Sequence, residues 1–385
     1  MDKEDQISIW GAITLLGVAC LTIMVGCVIV PGLNEISQAV GITKNASLLV
    51  TLPSLGVVLF GSFAGKIIDK YGAYLAICWG LLFYGFLGFG GAFLISLPFS
   101  VVFLIIDRFL LGGACALVMS SGTALISFFY TGEKRLKMIA VQGMSIELGG
   151  VIFLSVGGYL AAINWKYPFA LYLMAWVFFI MVVSFIRKPK VFDKSLKSEF
   201  IHSGGKKADL RIVYLSAFIS LTCFFTGTIL IPIQFNMLGI GAAQTGYFLS
   251  FVSVVAVCAA GFMPKFVSNL GEYKTLFFAF VCYIFGHIIY AISSSFIFFV
   301  FGAVFMGIGF GLSIPLANHM TVQKSLPQNR GKNLSYLAIC IYSGQFFSSF
   351  MEMIPGKLSY VFISAGFLAF AMSIFLVSLK RGYEK

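Results

Sequence analysis

Residues Ser100–Phe128 read SVVFLIIDRFLLGGACALVMSSGTALISF. Asp107 and Arg108 are the only charges in the run. A membrane-spanning helix needs about 20 mostly apolar residues, and this stretch exceeds that length. Its hydrophobicity is continuous. A barrel strand would alternate polar and apolar residues over about ten positions, so the stretch is a helix.

Working outward, eleven more runs of the same kind appear. The twelve expected spans are 8–31, 46–68, 75–97, 100–128, 137–162, 166–186, 211–236, 244–267, 275–294, 296–320, 333–354 and 357–379. The first is too long for the apolar region of a signal peptide, and its flank is acidic rather than basic. The whole chain has 385 residues, 59% of them apolar and 10% charged. A soluble domain carries roughly 25% charged residues. Too few charges remain to cover a water-soluble fold, which excludes a cytosolic enzyme, a nucleic-acid-binding domain and a disordered chain. The expected class is an all-α integral membrane protein.

The formal net charge is +12. Twenty-two of the 26 Lys and Arg residues lie in alternate loops and at the termini. Lys44, Lys166 and Lys357 lie in the other loops, and Arg108 is inside a span. This asymmetry orients an even-numbered bundle with both termini cytoplasmic, in the inner (plasma) membrane. The basic excess thus sets topology and does not indicate nucleic acid. The eight cysteines all fall within apolar runs and form no C-x-x-C, so they read as small buried apolar residues. No phosphate-binding glycine loop with a lysine occurs. No metal or other cofactor is expected.

Two six-helix halves are expected, 1–186 and 211–385. Between them lies a polar cytoplasmic linker, 187–210, carrying RKPK, KSLK and GGKK. The halves resemble each other: Gly65…Asp69-Lys70…Gly72 is answered by Gly261…Lys265…Gly271, and Gly112-Gly113 by Gly307 and Gly309. Paired repeats suggest a carrier with its site near mid-membrane.

These residues carry a resemblance to the major facilitator superfamily along essentially the whole chain. Gly65-Lys-Ile-Ile-Asp69-Lys70-Tyr-Gly72 resembles the family's loop signature G-x-x-x-D-(R/K)-x-G. A glycine there lets helices meet closely, and Asp69 can cap the next helix and pair across an inner gate. The basic residues that usually follow are replaced by Ala73 and Tyr74. The resemblance implies twelve helices in two repeats, alternating access, and a gate motif of Gly65, Asp69, Lys70 and Gly72; the very short outer loops leave substrate contacts to the spans.

Asp107-Arg108-Phe-Leu-Leu-Gly112-Gly113 resembles the family's fourth-helix signature. Arg108 lies roughly 15 Å below the outer end at Pro98. A charge at that depth faces an aqueous cavity or a partner. The two readings are proton coupling or solute contact on one side, and a buried ion pair with its neighbour or another helix on the other. Asp107 projects about 100° away from it and is a second coupling candidate. Glu147 is the third deep charge, on the antiparallel neighbouring helix, and is expected to approach Arg108 as a proton switch. The matching positions of the second half are Ala303 and Tyr342, so proton chemistry is expected in the first half.

Tyr342, Gln345 and Asn318 are candidate solute contacts alongside Arg108, with packing an equal alternative. Glu35 and Glu352 are read as solvated. His287 and His319 are read as satisfied helix–helix contacts. Gly149-Gly150…Gly157-Gly158, followed by Asn164-Trp165-Lys166-Tyr-Pro-Phe169, resembles the twelve-helix drug/proton antiporter branch. Gly307, Gly309, Gly311 and Pro315, then Gly344-Gln345, resemble it too. The branch's central glycine-proline is replaced by Phe153-Leu154, and no ionisable residue lies between Ile7 and Pro31.

The expected function is a proton-coupled, monomeric carrier that exports a small organic molecule. A siderophore or other metabolite, or nutrient uptake by symport, are the alternatives. A non-transporting sensor is disfavoured by the intact gate loop. The expected partners are the solute, protons and the lipid bilayer, with no nucleic acid.

Overall fold

In lipid an apolar segment has no hydrogen-bond partner for its backbone except itself, so each run closes its own helical ladder. The computed structural model describes residues 7–42, 45–94, 100–130, 132–188, 210–325 and 330–383, and no strand occurs among them. The helices are α1 (Ile9–Cys27), α2 (Leu33–Val40), α3 (Leu48–Tyr71), α4 (Ala73–Leu94), α5 (Ser100–Phe129) and α6 (Gly132–Ile163). A 3-10 segment (Tyr167–Leu173) runs into α7 (Met174–Phe185). The chain continues with α8 (Arg211–Met237), α9 (Ala242–Leu270), α10 (Glu272–Ile292), α11 (Phe296–Lys324), α12 (Arg330–Met351) and α13 (Leu358–Tyr383).

Among the described residues, 11 helical segments are long and apolar enough to cross a membrane. The twelfth expected span is α12. It is a helix of 22 residues, but Lys332, Asn333, Ser335, Gln345, Ser348 and Ser349 dilute its hydropathy. The short α2 was not expected. Its buried residues Leu33, Ile36, Ser37 and Val40 follow helical spacing, and Gly41 ends it in the left-handed region at φ 78°.

Clustering of the backbone gives two units, Met1–Phe192 with Gly239–Ser250, and Asp193–Leu238 with Phe251–Lys385. Of the expected linker, only residues 187, 188 and 210 are described. The grouping of residues 239–250, at the start of α9, with the first unit is not legible in the sequence.

The repeat expected from glycine spacing is visible in the packing inside each unit. In the first, Tyr84 on α4 donates its hydroxyl hydrogen to the Leu21 carbonyl of α1 at 2.6 Å. In the second, Tyr283 on α10 shares a hydrogen bond with Ser220 of α8 at 2.9 Å. Each tyrosine stands 63 residues along the chain from its own partner. The turns after α3 and α9 also correspond: Gly72 and Gly271 adopt φ 85° and 82°, where a side chain would be strained.

Glycines also set the helix crossings. A Cβ on Gly112 of α5 would run into the Pro53 carbonyl of α3. Likewise, a Cβ on Gly307 of α11 would meet the Val252 carbonyl of α9. Such contacts suit a membrane bundle, where close backbone approach replaces the hydrophobic driving force. Pro53 itself lies inside α3; its missing N–H is tolerated in a packed bundle.

Candidate functional site

Arg108 and Asp107 lie on the buried side of α5, with 0% and 6% of their surface exposed. Asp107 Oδ2 accepts from Arg108 Nη2 at 2.8 Å and from Nε at 3.1 Å. Arg108 Nη1 donates to the Tyr172 hydroxyl at 3.2 Å, and Nη2 to the Gly88 carbonyl at 3.3 Å. The guanidinium carbon lies 5.3 Å from the ring centres of both Phe169 and Tyr172. Tyr172 in turn donates to the Val25 carbonyl of α1 at 3.0 Å. One charge pair thus ties together α5, α4, the 3-10 segment and α1.

Of the two readings open for Arg108, the geometry shows the buried ion pair with its neighbour. Two sequence expectations are corrected here. Asp107 does not turn away: the 100° between adjacent positions separates Cβ directions, and the long arginine stem spans it. Arg108 does not pair with Glu147, because all three guanidinium nitrogens are already engaged by α5, α4 and the 3-10 segment. With no exposed surface, Arg108 offers no donor to a solute in this conformation.

Glu147 lies at the middle of α6, about 22 Å from either end at 1.5 Å per residue. Its side chain is half-buried. No hydrogen bond or ion pair joins it to another described residue. Its helix packs on α1, where the Cys20 thiol donates to the Ser145 carbonyl at 3.0 Å. Toward α5, Gln142 donates to the Thr123 hydroxyl at 3.4 Å. Glu147 therefore follows two anchored positions of α6, Gln142 and Ser145, and has no hydrogen bond or ion pair of its own among the described residues.

The glycines of the same helix explain the motif that singled it out. Gly149 faces Cys20, and Gly157 faces the Val28 carbonyl of α1, each too close for a Cβ. Gly158 takes the backbone at Gly246. The motif's glycines are crossing points. With Phe153-Leu154 in the centre, both side chains buried, α6 runs unbroken from Gly132 to Ile163.

The gate motif lies at the end of α3. Asp69, Lys70 and Gly65 are exposed and Gly72 half-buried; the Lys70 ammonium stands 5.1 Å from the Tyr71 ring centre. Gly65 was expected to allow a close helix approach, yet a Cβ there would have nothing within 4 Å. In this conformation its smallness is unused.

In the second unit, Tyr342 is half-buried, Gln345 buried and Asn318 exposed. The Asn318 amide donates to the Ile314 carbonyl of its own helix at 3.1 Å. These three belong to the second unit and Arg108 to the first. His287 is fully buried, as expected of a helix contact, with Nε2 3.0 Å from the Cys223 carbonyl; its Nδ1 is buried with no hydrogen bond. His319 is exposed rather than a buried contact.

Glu35 is another correction. It was read as solvated, but it lies in the first turn of α2, half-buried, with Oε2 shielded and without a hydrogen bond. Burial raises its carboxyl above the usual carboxylate range, with a smaller opposing effect of a backbone hydrogen bond. Glu352 is half-buried as well.

Tyr172 was missed by sequence reasoning. Its signal was depth. Tyr172 lies five residues into the 3-10 segment and Arg108 eight into α5, two segments expected to start from the same side of the membrane. Also missed was a buried hydroxyl cluster in the second unit. There Ser313 Oγ lies 2.5 Å from Ser220 Oγ and 3.3 Å from the Tyr283 hydroxyl.

Comparison with known proteins identifies what this arrangement belongs to. The Quinolone resistance protein NorA of Staphylococcus aureus is 29% identical over 177 residues, 45% of this chain and 43% of that protein. Multidrug resistance protein 1 of Bacillus subtilis (strain 168) is 26% identical over 172 residues, 44% of this chain and 42% of that protein. The chain thus matches less than half the length of these relatives. The crystal structure of a D-xylose-proton symporter superposes with a TM-score of 0.77 at 15% identity, covering 95% of this chain and 96% of that one. A POT family transporter in complex with 5-aminolevulinic acid gives 0.77 at 14% identity, with 99% of each chain covered. These two establish likeness of fold. The model of one family spans residues 14–349, which covers both the Arg108 cluster and the two-repeat packing: the chain belongs to the Major Facilitator Superfamily.

Proposed function

We propose that this protein is a proton-coupled secondary transporter that exports a small organic molecule by alternating access, with Glu147 as its proton-carrying group. The observation that carries the reading is Glu147 itself. It is half-buried at mid-helix with no hydrogen bond or ion pair among the described residues, whereas the other two deep charges neutralise each other. A lone carboxylate in the membrane interior is costly when charged. Taking up a proton removes that cost, so the two protonation states favour different surroundings. That difference can bias an inward–outward equilibrium of a few kcal/mol. Arg108 and Asp107 act as a neutral anchor that holds the surrounding helices, and Asp107 is the next proton candidate.

Similarity to proteins named for quinolone and multidrug resistance supports a drug-like organic solute and the outward direction. Tyr342, Gln345 and Asn318 remain the proposed solute contacts in the second unit. Asp69, Lys70, Gly65 and Gly72 are the proposed inner gate. Uptake by symport is a second reading, favoured by the unbroken α6, which lacks the glycine-proline kink of the exporter motif.

The test is transport in proteoliposomes with an imposed pH gradient, using a quinolone and a panel of other organic solutes. Wild type should accumulate solute against its gradient. Glu147→Gln should lose accumulation by about tenfold or more, the effect of removing one coupled proton worth at least ~1.4 kcal/mol, while keeping part of its solute exchange. Full accumulation by Glu147→Gln would place the proton site elsewhere.

A further inference from the structure

α1 is the first membrane span, so the turn after it and α2 lie across the membrane from the N-terminus. Glycines seat this corner on the last turns of α6. A Cβ on Gly157 of α6 would run into the Val28 carbonyl, and a Cβ on Gly32 would meet Ala161, one turn further along α6, at 2.5 Å. Val28, Ile29, Val30 and Leu33 are each at most 1% exposed, and Ile36 is 0% exposed. α2 is only eight residues long, begins at the Gly32 seat and ends at Gly41, so it can tilt as a unit about its two glycines.

Glu35 stands in the first turn of α2, where an acidic group usually faces water. Here its Oε2 is shielded and accepts no hydrogen bond. A carboxylate oxygen so placed is costly when charged, and a bound proton removes the charge. Burial accordingly raises the carboxyl above the ordinary carboxylate range, and no neighbouring charge contributes to the rise. The titratable groups on the elements of this corner are few. α1 offers the buried Cys27 and no charged residue between Ile7 and Pro31. α6 offers the exposed Tyr159 and, beyond its end, Lys166, whose ammonium stands 5.1 Å from the Trp165 ring centre. α2 holds no titratable group besides Glu35, and Lys44 lies outside the described residues.

We propose that Glu35 is a second proton-binding site, distinct from Glu147: with the proton on, the first turn of α2 stays seated on α6, and when the proton leaves to water that turn comes away so that Oε2 is hydrated. The sign follows from the shielding. A carboxyl that holds its proton more tightly in the seated form favours that form fully below the ordinary carboxylate range. The preference is lost as pH rises through the raised value. The loop charges predict this face to be the outer one. Acid on that side then holds α2 down on the helix that also carries Glu147, so the two sites share α6. The seating itself is a property of the folded chain and stands apart from whether the protein transports a solute.

The test uses the purified full chain and N-ethylmaleimide, so it depends neither on transport nor on orientation in the membrane. Ser37→Cys puts a thiol of nearly the same size at a buried position of α2, and Gln38→Cys puts one at an exposed position of the same helix. Labelling rates are read by mass spectrometry of the peptide that carries the introduced cysteine. The ratio of the Ser37→Cys rate to the Gln38→Cys rate cancels the ordinary effect of pH on thiol reactivity. With Glu35 in place, that ratio should rise by about tenfold or more between pH 5 and pH 8, as for one proton held ten times more tightly in the seated form. Glu35→Gln mimics the protonated group, so in that background the ratio should stay low at both pH values. Glu35→Gln should also melt no lower than wild type at pH 8, which shows that its low ratio comes from a folded protein. A ratio that does not change with pH while Glu35 is present, or a pH dependence that survives in Glu35→Gln, would overturn the proposal.

Discussion

A charge deep in a membrane protein is informative through what it touches. Arg108 and Asp107 are an ion pair at 2.8 Å with almost no exposed surface. Removing one member leaves the other charged and buried, which costs roughly 3–5 kcal/mol in such sites. Asp107→Asn should therefore lower thermal stability of the purified protein sharply. Tyr172→Phe, which removes only one neutral donor-acceptor group from Arg108, should cost about 1 kcal/mol. Thermal unfolding of both variants in one detergent checks the order. If Asp107→Asn were no less stable than Tyr172→Phe, the pair would not be the anchor the distances describe. Glu147 differs in kind from both. No hydrogen bond or ion pair holds it among the described residues, so its replacement should spare stability and act on coupling.

Among the helices, glycine positions divide into those in use and those in reserve. Gly112 touches backbone on α3, and the obstacle there is a carbonyl that cannot rotate away. Gly65 on α3 faces open space. Gly65→Ala should leave stability unchanged or raise it by up to ~1 kcal/mol, the helix-propensity gain. Gly112→Ala should destabilise by pushing α3 and α5 apart. Folded yield and melting temperature of the two alanine variants measure this directly, and equal loss in both would contradict the crossing. The 3-10 segment before α7 is another element-scale feature. Pro168 near its start suits the tight turn, and Tyr172 locks the segment to Arg108.

For the molecule as a whole, orientation is a matter of charge. The Lys and Arg asymmetry over short loops predicts that both termini and residues 187–210 are cytoplasmic. A cysteine introduced at Ser203 should react with a membrane-impermeant thiol reagent only after the cells are opened. Labelling in intact cells would reverse the topology. The two units carry matching glycine crossings and, between corresponding helices, a tyrosine hydroxyl bond, to the Leu21 carbonyl in the first and to the Ser220 hydroxyl in the second. They diverge at one place. The first unit fills the space around α4 and α5 with Arg108. In the second, Ala303 stands at that position, and Tyr290 packs on the adjacent Gly302 instead.

The twelve apolar runs, the repeat and the loop charges were all legible in the sequence, because burial in lipid demands continuous hydrophobicity and topology follows Lys and Arg placement. The depths of Arg108 and Glu147 were legible too, since a helix rises a constant distance per residue. Their partners were not. Depth and direction along one helix do not say which neighbouring helix comes close, nor how a long side chain bends. Asp107 therefore pairs with Arg108 despite its divergent direction, and Tyr172 completes the cluster from a distant segment. Glu147 has no ion pair among the described residues, and Arg108 is already satisfied by Asp107, Tyr172 and Gly88. The small α2 and the shielding of Glu35 also arise only when neighbouring helices pack, as apolar positions in a short polar loop are too few to announce a helix. Helices were set by local composition, and the pairing of charges by the packing of segments far apart in the chain.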